Sequence, residues 1–508
     1  MKNSLGVFEQ RLLLFSVFIV ALCGITYELV LGSLATYLLG NPVQQYSITI
    51  GFFLVSMGIG SYLSRFFVDK LLKTFILIEV ALGIAGGMSV IVLNYLFSFS
   101  ISYYMLHVFF LIAIGLLVGL EIPLLTRILK GYGALKDVIS NVLSLDYLGG
   151  LGGSLLFPLV LFPYAGRLLT SLTVGALNIS VAIALIAFIR YPERKRSDYV
   201  FPVVALLAVL AIAFSSDQLN HFLKKRLFFD DIVFSRRSQY QEIVLTRTGD
   251  DFRLYLDGSL QFSTFDEYRY HEMLVYPALM LHPGSEKKVL VMGGGDGLAV
   301  RDVLKCNGVK SVTLVELDPL MISLARNNPS FKRINRDSLN DSRVRVIIGD
   351  AFMYLRKTSE TYDVIIADFP DPHDESISKL YSVELFRMVK RTLRGNGVFI
   401  TQSTSPLFAR DAFWCIHNTM GQVFSRVTAY HVYVPTFGDW GFNIAMLRKG
   451  KFEMPERRDI DFRFFSPATF ASSLYFPRDS RKRLTKINTF DRPVLYTYYL
   501  NAWRYMDY

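Results

Sequence analysis

In the second half of this 508-residue chain, acidic residues stand where short apolar runs stop. The run 289–292 (VLVM) gives way to Gly293, Gly294, Gly295, Asp296 and Gly297, and the run 312–317 (VTLVEL) carries Glu316 at its end. Asp350 closes 344–350 (VRVIIGD), and Asp368 closes 363–368 (DVIIAD), with Asp371 three residues further on between two prolines. Carboxylates can accept hydrogen bonds from sugar hydroxyls or amines, bind an ammonium group and take up a proton. A structural Asp-Pro turn would explain Asp371. Two acids together on a stiffened loop are also the arrangement that attracts a polyamine or tunes a base.

Something must hold these residues together. The runs above, with 397–402 (GVFITQ), alternate with helical stretches, and strands of that length buried on both faces predict a doubly wound parallel sheet. In such sheets the ligand lies at the carboxyl ends of the strands, by the topological switch point. The glycines follow GxGxG rather than GxGxxG, which favours a nucleoside such as S-adenosylmethionine over a dinucleotide. Glu316, 23 residues after Gly293, has the spacing at which a carboxylate caps a ribose diol. Asp350, followed by Ala351, can accept from an adenine amine or serve as a helix N-cap. Ahead of the sheet, apolar and polar residues alternate from 238 to 265 and predict a small antiparallel β unit.

The first half is of another kind. Residues 1–217 carry 13 lysines and arginines and 10 acids, against 41 and 33 in the 291 residues that follow. The contrast excludes a simple soluble enzyme, a disordered chain and a fibre. The domain expectation is a transmembrane part over 1–217, a linker and β unit over 218–288, and the catalytic sheet over 289–508. Seven apolar segments are near the roughly 20 residues that a spanning helix needs: 12–33, 46–66, 75–97, 103–126, 142–163, 168–189 and 199–216. Basic connections after the second, fourth and sixth segments (Arg65, Lys70, Lys73; Arg127, Lys130, Lys136; Arg190, Arg194, Lys195, Arg196) put the N-terminus in the cytosol. The basic runs 224–226 and 236–237 read as attraction to anionic lipid headgroups or as an ordinary solvated charge run; 224–226 also behaves as a cytosolic flank, so 199–216, short and containing Pro202, is the weakest crossing. Glu28, Glu79, Glu121 and Asp146 lie within apolar segments, where acids mark an ion path or bind neighbouring helices through hydrogen bonds. Glycines at 86, 87, 149, 150, 152 and 153 would let such helices pack closely. Three scattered cysteines, Cys23, Cys306 and Cys415, indicate neither a disulfide framework nor a metal site.

The second half resembles the spermidine synthase family, the polyamine aminopropyltransferases, and the whole chain resembles its membrane-bound branch. The likeness rests on Tyr240-Gln241, LDGSLQFSTFDEYRYHEML (256–274), VLVMGGGDGLAVRDVL (289–304), VELDP (315–319), GDA (349–351) and DFPDP (368–372), in order and spacing. It implies an N-terminal multi-pass helical domain and a C-terminal Rossmann-like domain of the S-adenosylmethionine-methyltransferase type. It also implies transfer of an aminopropyl group from decarboxylated S-adenosylmethionine to putrescine, giving spermidine and methylthioadenosine without a metal. Carried over, Asp368 is the base. Gln241, Gly293, Gly295, Glu316, Asp350 and Ala351 hold the nucleoside, with Glu316 on ribose and Asp350 on adenine. Tyr270, His271 and Asp296 meet the amine-bearing parts, and Asp371 anchors the polyamine. Two departures bear on the acceptor: Phe437 follows Pro435-Thr436 where the family commonly has tyrosine, and His373, Asp374 and Glu375 replace the usual Gly-Pro.

The implied partners are a diamine and the lipid bilayer, with no nucleic acid and with homodimer formation left open. The expected location is the cell membrane, with the catalytic part in the cytosol because its donor is a charged cytosolic metabolite. Two other readings remain at this stage: a methyltransferase, which the GxGxG sheet alone would allow, and a polyamine carrier using the four membrane acids.

Overall fold

The computed structural model describes residues 6–97, 103–130, 134–189, 194–228, 230–447, 454 and 460–503. Arg190 of the sixth connection lies outside the described residues. The chain divides into two compact units, Met1–Phe229 and Asp230–Tyr508.

The first unit is helical: α1 (Val7–Leu39), α2 (Pro42–Leu63), α3 (Leu71–Phe97), α4 (Tyr103–Leu129), α5 (Leu135–Leu156), α6 (Phe162–Phe188), α7 (Val200–Phe214) and α8 (Ser216–Leu227). Small residues set the spacing. A Cβ on Gly149 or Gly153 would overlap the carbonyl oxygens of Phe18 or Leu22, so α5 runs alongside α1 in the same direction. In α6, Arg167 hydrogen-bonds Ser33 and Cys23 Sγ approaches the Val174 oxygen, so α6 runs against α1. The chain therefore reverses between α5 and α6, through a π-helical turn (Phe157–Leu161) and a break at Gly166, φ 66°. Among the described residues six helices are long and apolar enough to cross a membrane, one of them the stretch Leu135–Phe188 that this reversal divides. The last of the six, Arg196–Phe214, includes the short helical turn Arg196–Tyr199; α7 alone has 15 residues, about 22 Å at 1.5 Å per residue against the roughly 30 Å of a bilayer core.

The second unit opens with an antiparallel sheet of order β1 (Asp231–Arg237), β2 (Glu242–Thr248), β3 (Asp251–Leu256) and β4 (Ser259–Ser263). Arg236 and Arg237, read from sequence as drawn to lipid headgroups or as solvated charge, belong to β1 of this sheet, and Arg237 faces Asp257 at 3.9 Å. Then follow α9 (Glu267–Leu281), β5 (Lys287–Gly293), α10 (Leu298–Leu304), β6 (Val309–Glu316), α11 (Pro319–Asn327), α12 (Pro329–Ile334), β7 (Val344–Ile348), α13 (Ala351–Lys357) and β8 (Tyr362–Asp368). The chain continues through α14 (Glu375–Ser378), α15 (Val383–Thr392), β9 (Leu393–Gln402), α16 (Arg410–Met420), β10 (Val427–Val434), β11 (Gly438–Met446), α17 (Pro467–Ser472) and α18 (Val494–Trp503).

The seven-stranded sheet has the order β10-β11-β9-β8-β5-β6-β7, with β5 to β9 parallel and β10 and β11 antiparallel. Helices cover both faces, and Val289, Val291, Leu314, Ile365, Ile366 and Ile400 are buried in the two cores that result. All five apolar runs read from sequence are strands of this sheet. The hairpin β10–β11, unexpected from sequence, completes one edge. Because β6 and β8 lie on opposite sides of β5, the order reverses between β5 and β8, and the crevice opens at their carboxyl ends.

Candidate active site

Gly293 and Asp368 are register partners at the ends of β5 and β8. Gly293 has φ +77°, and a Cβ there would overlap the Asp368 carbonyl oxygen, so only glycine lets the chain turn away at this point. The turn brings Gly295 alongside the side chain of Glu316. Helix α9 lies across the same end of the sheet and lowers Tyr270 onto the site: its hydroxyl donates to Asp368 Oδ1 at 2.6 Å. One turn of helix separates Glu267 from His271, whose Nδ1 lies 2.8 Å from Glu267 Oε2. Arg301 of α10 holds the other side of Glu267 with two bonds of 2.9 Å.

Electrostatics follow from burial. Removal from water pushes the Asp368 carboxyl up, although nearby His271 and the Tyr270 hydroxyl pull against it. Burial also raises Asp296, to about 6, and Glu316, to about 7. Burial works against a charged imidazole at His271, but its bond to Glu267 prevails and lifts it to about 9. Burial would raise Glu267 as well, and there His271 and Arg301 prevail, holding it at about 2. The result is a crevice of carboxylates that burial makes weaker acids than free ones, beside one ion pair.

The remaining residues singled out from sequence lie at the same end of the sheet. Glu316 Oε1 accepts from the Asp318 amide at 2.9 Å, and Gln241, just before β2, donates to Asp318 Oδ2 at 3.0 Å. The antiparallel sheet thus delivers Gln241 to the end of β6. Asp350 caps α13, accepting from the Met353 amide at 3.1 Å, and pairs with Lys379 at 3.1 Å; Ala351 begins that helix. Asp296 accepts from the Leu298 amide at 2.8 Å. Asp371 is half-buried and accepts from Gln402 Nε2 at 3.3 Å, Thr404 Oγ1 at 3.4 Å and the Tyr499 hydroxyl at 2.9 Å. Phe437 packs edge-on to Tyr270, ring centroids 6.3 Å apart, together with Trp440 and Phe442. His373 folds back, its Nδ1 2.9 Å from the Asp371 carbonyl oxygen.

Sequence reasoning missed Glu267, Gln402, Thr404 and Tyr499. Glu267 carried a signal, since an acid four residues before a histidine on a helix faces it. Tyr499 carried none, lying 128 residues from the acid it touches. Among the described residues no group of three or more His, Cys, Asp or Glu side chains could hold a metal ion.

Residues 267–456 match the spermine/spermidine synthase domain. The polyamine aminopropyltransferase of Leptospira interrogans is 43% identical over 496 residues, covering 97% of this chain and 99% of that protein. The chain belongs to the polyamine aminopropyltransferase, or spermidine synthase, family. Polyamine aminopropyltransferase 2 of Ralstonia nicotianae is 40% identical over 97% of this chain and 98% of its own length. Among solved structures, a spermidine synthase in complex with the transition-state analogue AdoDATO shares 28% identity over 49% of this chain and 86% of that one, with a TM-score of 0.44. Because the curated relatives match from end to end, membership extends to the helical unit as well as the aminopropyltransferase domain. It also decides against the methyltransferase reading.

Proposed function

We propose that this chain is a membrane-anchored aminopropyltransferase that transfers the aminopropyl group of decarboxylated S-adenosylmethionine to a diamine, putrescine first among them, giving spermidine and 5'-methylthioadenosine. The observation that carries the reading is the half-buried carboxylate Asp368, held by Tyr270 beside the glycine turn at the switch point. In the reaction the amine nitrogen attacks the aminopropyl carbon next to the sulfonium. The carbon–sulfur bond breaks, sulfur keeps the electron pair, and the amine proton passes to Asp368. The leaving group is good, so the protein mainly has to present a neutral amine in line with it. Glu316 on the ribose, Asp350 on the adenine and Gln241, with the backbone of Gly293, Gly295 and Ala351, account for the nucleoside. His271 and Asp296 border the amine-bearing chain, and Asp371 takes the far ammonium. A donor retaining its carboxylate would meet like charge in this crevice, so the decarboxylated form is favoured. Calorimetry with both donors tests the reading: tighter binding of intact S-adenosylmethionine would overturn it.

The helical unit, Met1–Phe229, is read as the anchor, with the catalytic part in the cytosol. A short α7 that stays at the surface reconciles the basic connections with that side. A reporter active only outside the cell, fused after Tyr508, is expected to remain silent; activity there would place the catalytic part outside.

A second reading, passage of polyamines through the helical unit, is favoured by one observation. Glu79 and Glu121 meet in the interior. Beyond that mutual contact, both Glu79 oxygens and Glu121 Oε1 are buried with no hydrogen-bond partner among the described residues, as are the Tyr27 hydroxyl and the Asn178 amide. Acids in that state suit a passing cation. Proteoliposomes that make spermidine yet show no polyamine flux would reduce the unit to an anchor.

A further inference from the structure

The helix α18 lies beyond the matched domain, which ends at residue 456, yet it reaches the reaction centre. Its Tyr499 hydroxyl donates to Asp371 Oδ2 at 2.9 Å, the shortest of the three side-chain bonds this carboxylate accepts. The helix is fixed where it begins. Asn488 Oδ1 accepts from the Leu495 amide at 3.3 Å, while Asn488 Nδ2 donates to the Ser378 and Tyr381 carbonyls at 2.9 and 3.2 Å. Leu495 is fully buried against the core under the sheet. Tyr381, from the same segment, donates to the Pro370 carbonyl at 3.0 Å and accepts from Gln402 at 2.7 Å, so the loop bearing Asp371 and the C-terminal helix are tied to one frame.

The geometry points to Tyr499 as the positioning residue that sets which diamines are accepted, by fixing the carboxylate of Asp371 at one distance from the base Asp368. This rests on the aminopropyltransferase reading above. Chemically, a phenol that donates to Oδ2 favours the ionised acid against its burial, and Oδ1, which meets Gln402 Nε2 at 3.3 Å, keeps a second lone pair for the ammonium. The phenol oxygen can itself accept an ammonium hydrogen. The far ammonium is then bound at a defined point, and the methylene count that spans from it to the amine at Asp368 becomes selective. A longer or shorter diamine leaves either the ammonium or the attacking nitrogen out of place.

The experiment uses full-length enzyme in detergent or nanodiscs with decarboxylated S-adenosylmethionine and the diamines of three, four and five carbons. In Tyr499→Phe, KM for the preferred diamine is expected to rise about tenfold, equivalent to about 1.4 kcal/mol. The preference over the neighbouring lengths should shrink by a similar factor, with KM for the donor unchanged. Leu495→Ala loosens the same helix without removing the hydroxyl. It is expected to lower the melting temperature and depress kcat for all three diamines, while shifting their ratio much less than Tyr499→Phe does. The proposal is overturned if Tyr499→Phe leaves the ratio unchanged, or if it merely reproduces the Leu495→Ala pattern. If the native enzyme transfers an aminopropyl group to none of the diamines, the underlying activity fails instead, and that result is separate from either pattern.

Discussion

Gly293 and Asp368 sit opposite one another in adjacent parallel strands, and the absence of a side chain on the first is what lets the second hold its place. Gly293→Ala adds a Cβ at φ +77° against the Asp368 carbonyl. A strained residue of this kind costs about 1 to 3 kcal/mol. The variant should therefore unfold earlier in denaturant and lose at least about tenfold in turnover, since a displacement well under 1 Å already spoils in-line attack. A Gly293→Ala enzyme with native turnover would remove the glycine turn from the site.

Asp368→Asn keeps the shape of the side chain and the bond from Tyr270 but cannot take a proton. Loss of a general base costs at least about two orders of magnitude. We expect kcat to fall by that much while binding of methylthioadenosine, measured by calorimetry, changes less than about threefold, because Glu316 lies two strands away at the end of β6 and Gln241 reaches that end from just before β2. A variant that still turns over at the native rate would show that Asp368 is not the base.

The pair Glu267–His271 predicts a window of stability in pH. Glu267 is held at about 2, below its ordinary 4.5, so its contribution is present above pH 4.5 and fades as pH falls towards 2. His271 is raised from 6.5 to about 9, so its contribution is full below pH 6.5 and is lost as pH rises through 9. Amide exchange along Glu267–Leu281 should thus be slowest between about pH 4.5 and 6.5 after correction for intrinsic rates. In His271→Gln the alkaline loss of protection should disappear. If that loss persists in the variant, the pair is not its origin.

The parts of the site legible in the sequence are those fixed by local chemistry. Strands β5 to β9 announce themselves as apolar runs, and their acidic ends stand out because a charge at the end of a buried strand needs a reason. The hairpin β10–β11 was not legible, since Val427–Val434 mixes Thr428, Tyr430, His431 and Tyr433 into its apolar positions and faces the core on one side only. Nor could the sequence show that Asp371 is shared among Gln402, Thr404 and Tyr499, because those partners come from two distant stretches, the end of β9 and α18, that only the folded chain brings together. In the helical unit the acids were visible, but the meeting of Glu79 with Glu121 depends on how α3 packs against α4, which apolar periodicity does not encode.

Asp350 is the residue for which sequence left two roles, and the structure shows one of them: it caps α13 through the Met353 amide. A cap does not preclude a second function, because its Oδ2 faces a lysine at the surface of the crevice rather than the helix. Substitution separates the two. Asp350→Ala removes both cap and charge and should cost about 1 kcal/mol of stability. Asp350→Ser keeps a side-chain oxygen for the Met353 amide and should restore most of that stability, since serine caps about as well as aspartate. If Asp350 also binds the adenine amine, KM for the donor should rise at least about tenfold in both variants, a lost hydrogen bond to a charged group being worth about 1.5 kcal/mol or more. Were the serine variant to recover donor KM along with melting temperature, the cap alone would account for Asp350, and adenine recognition would have to come from the backbone around Ala351.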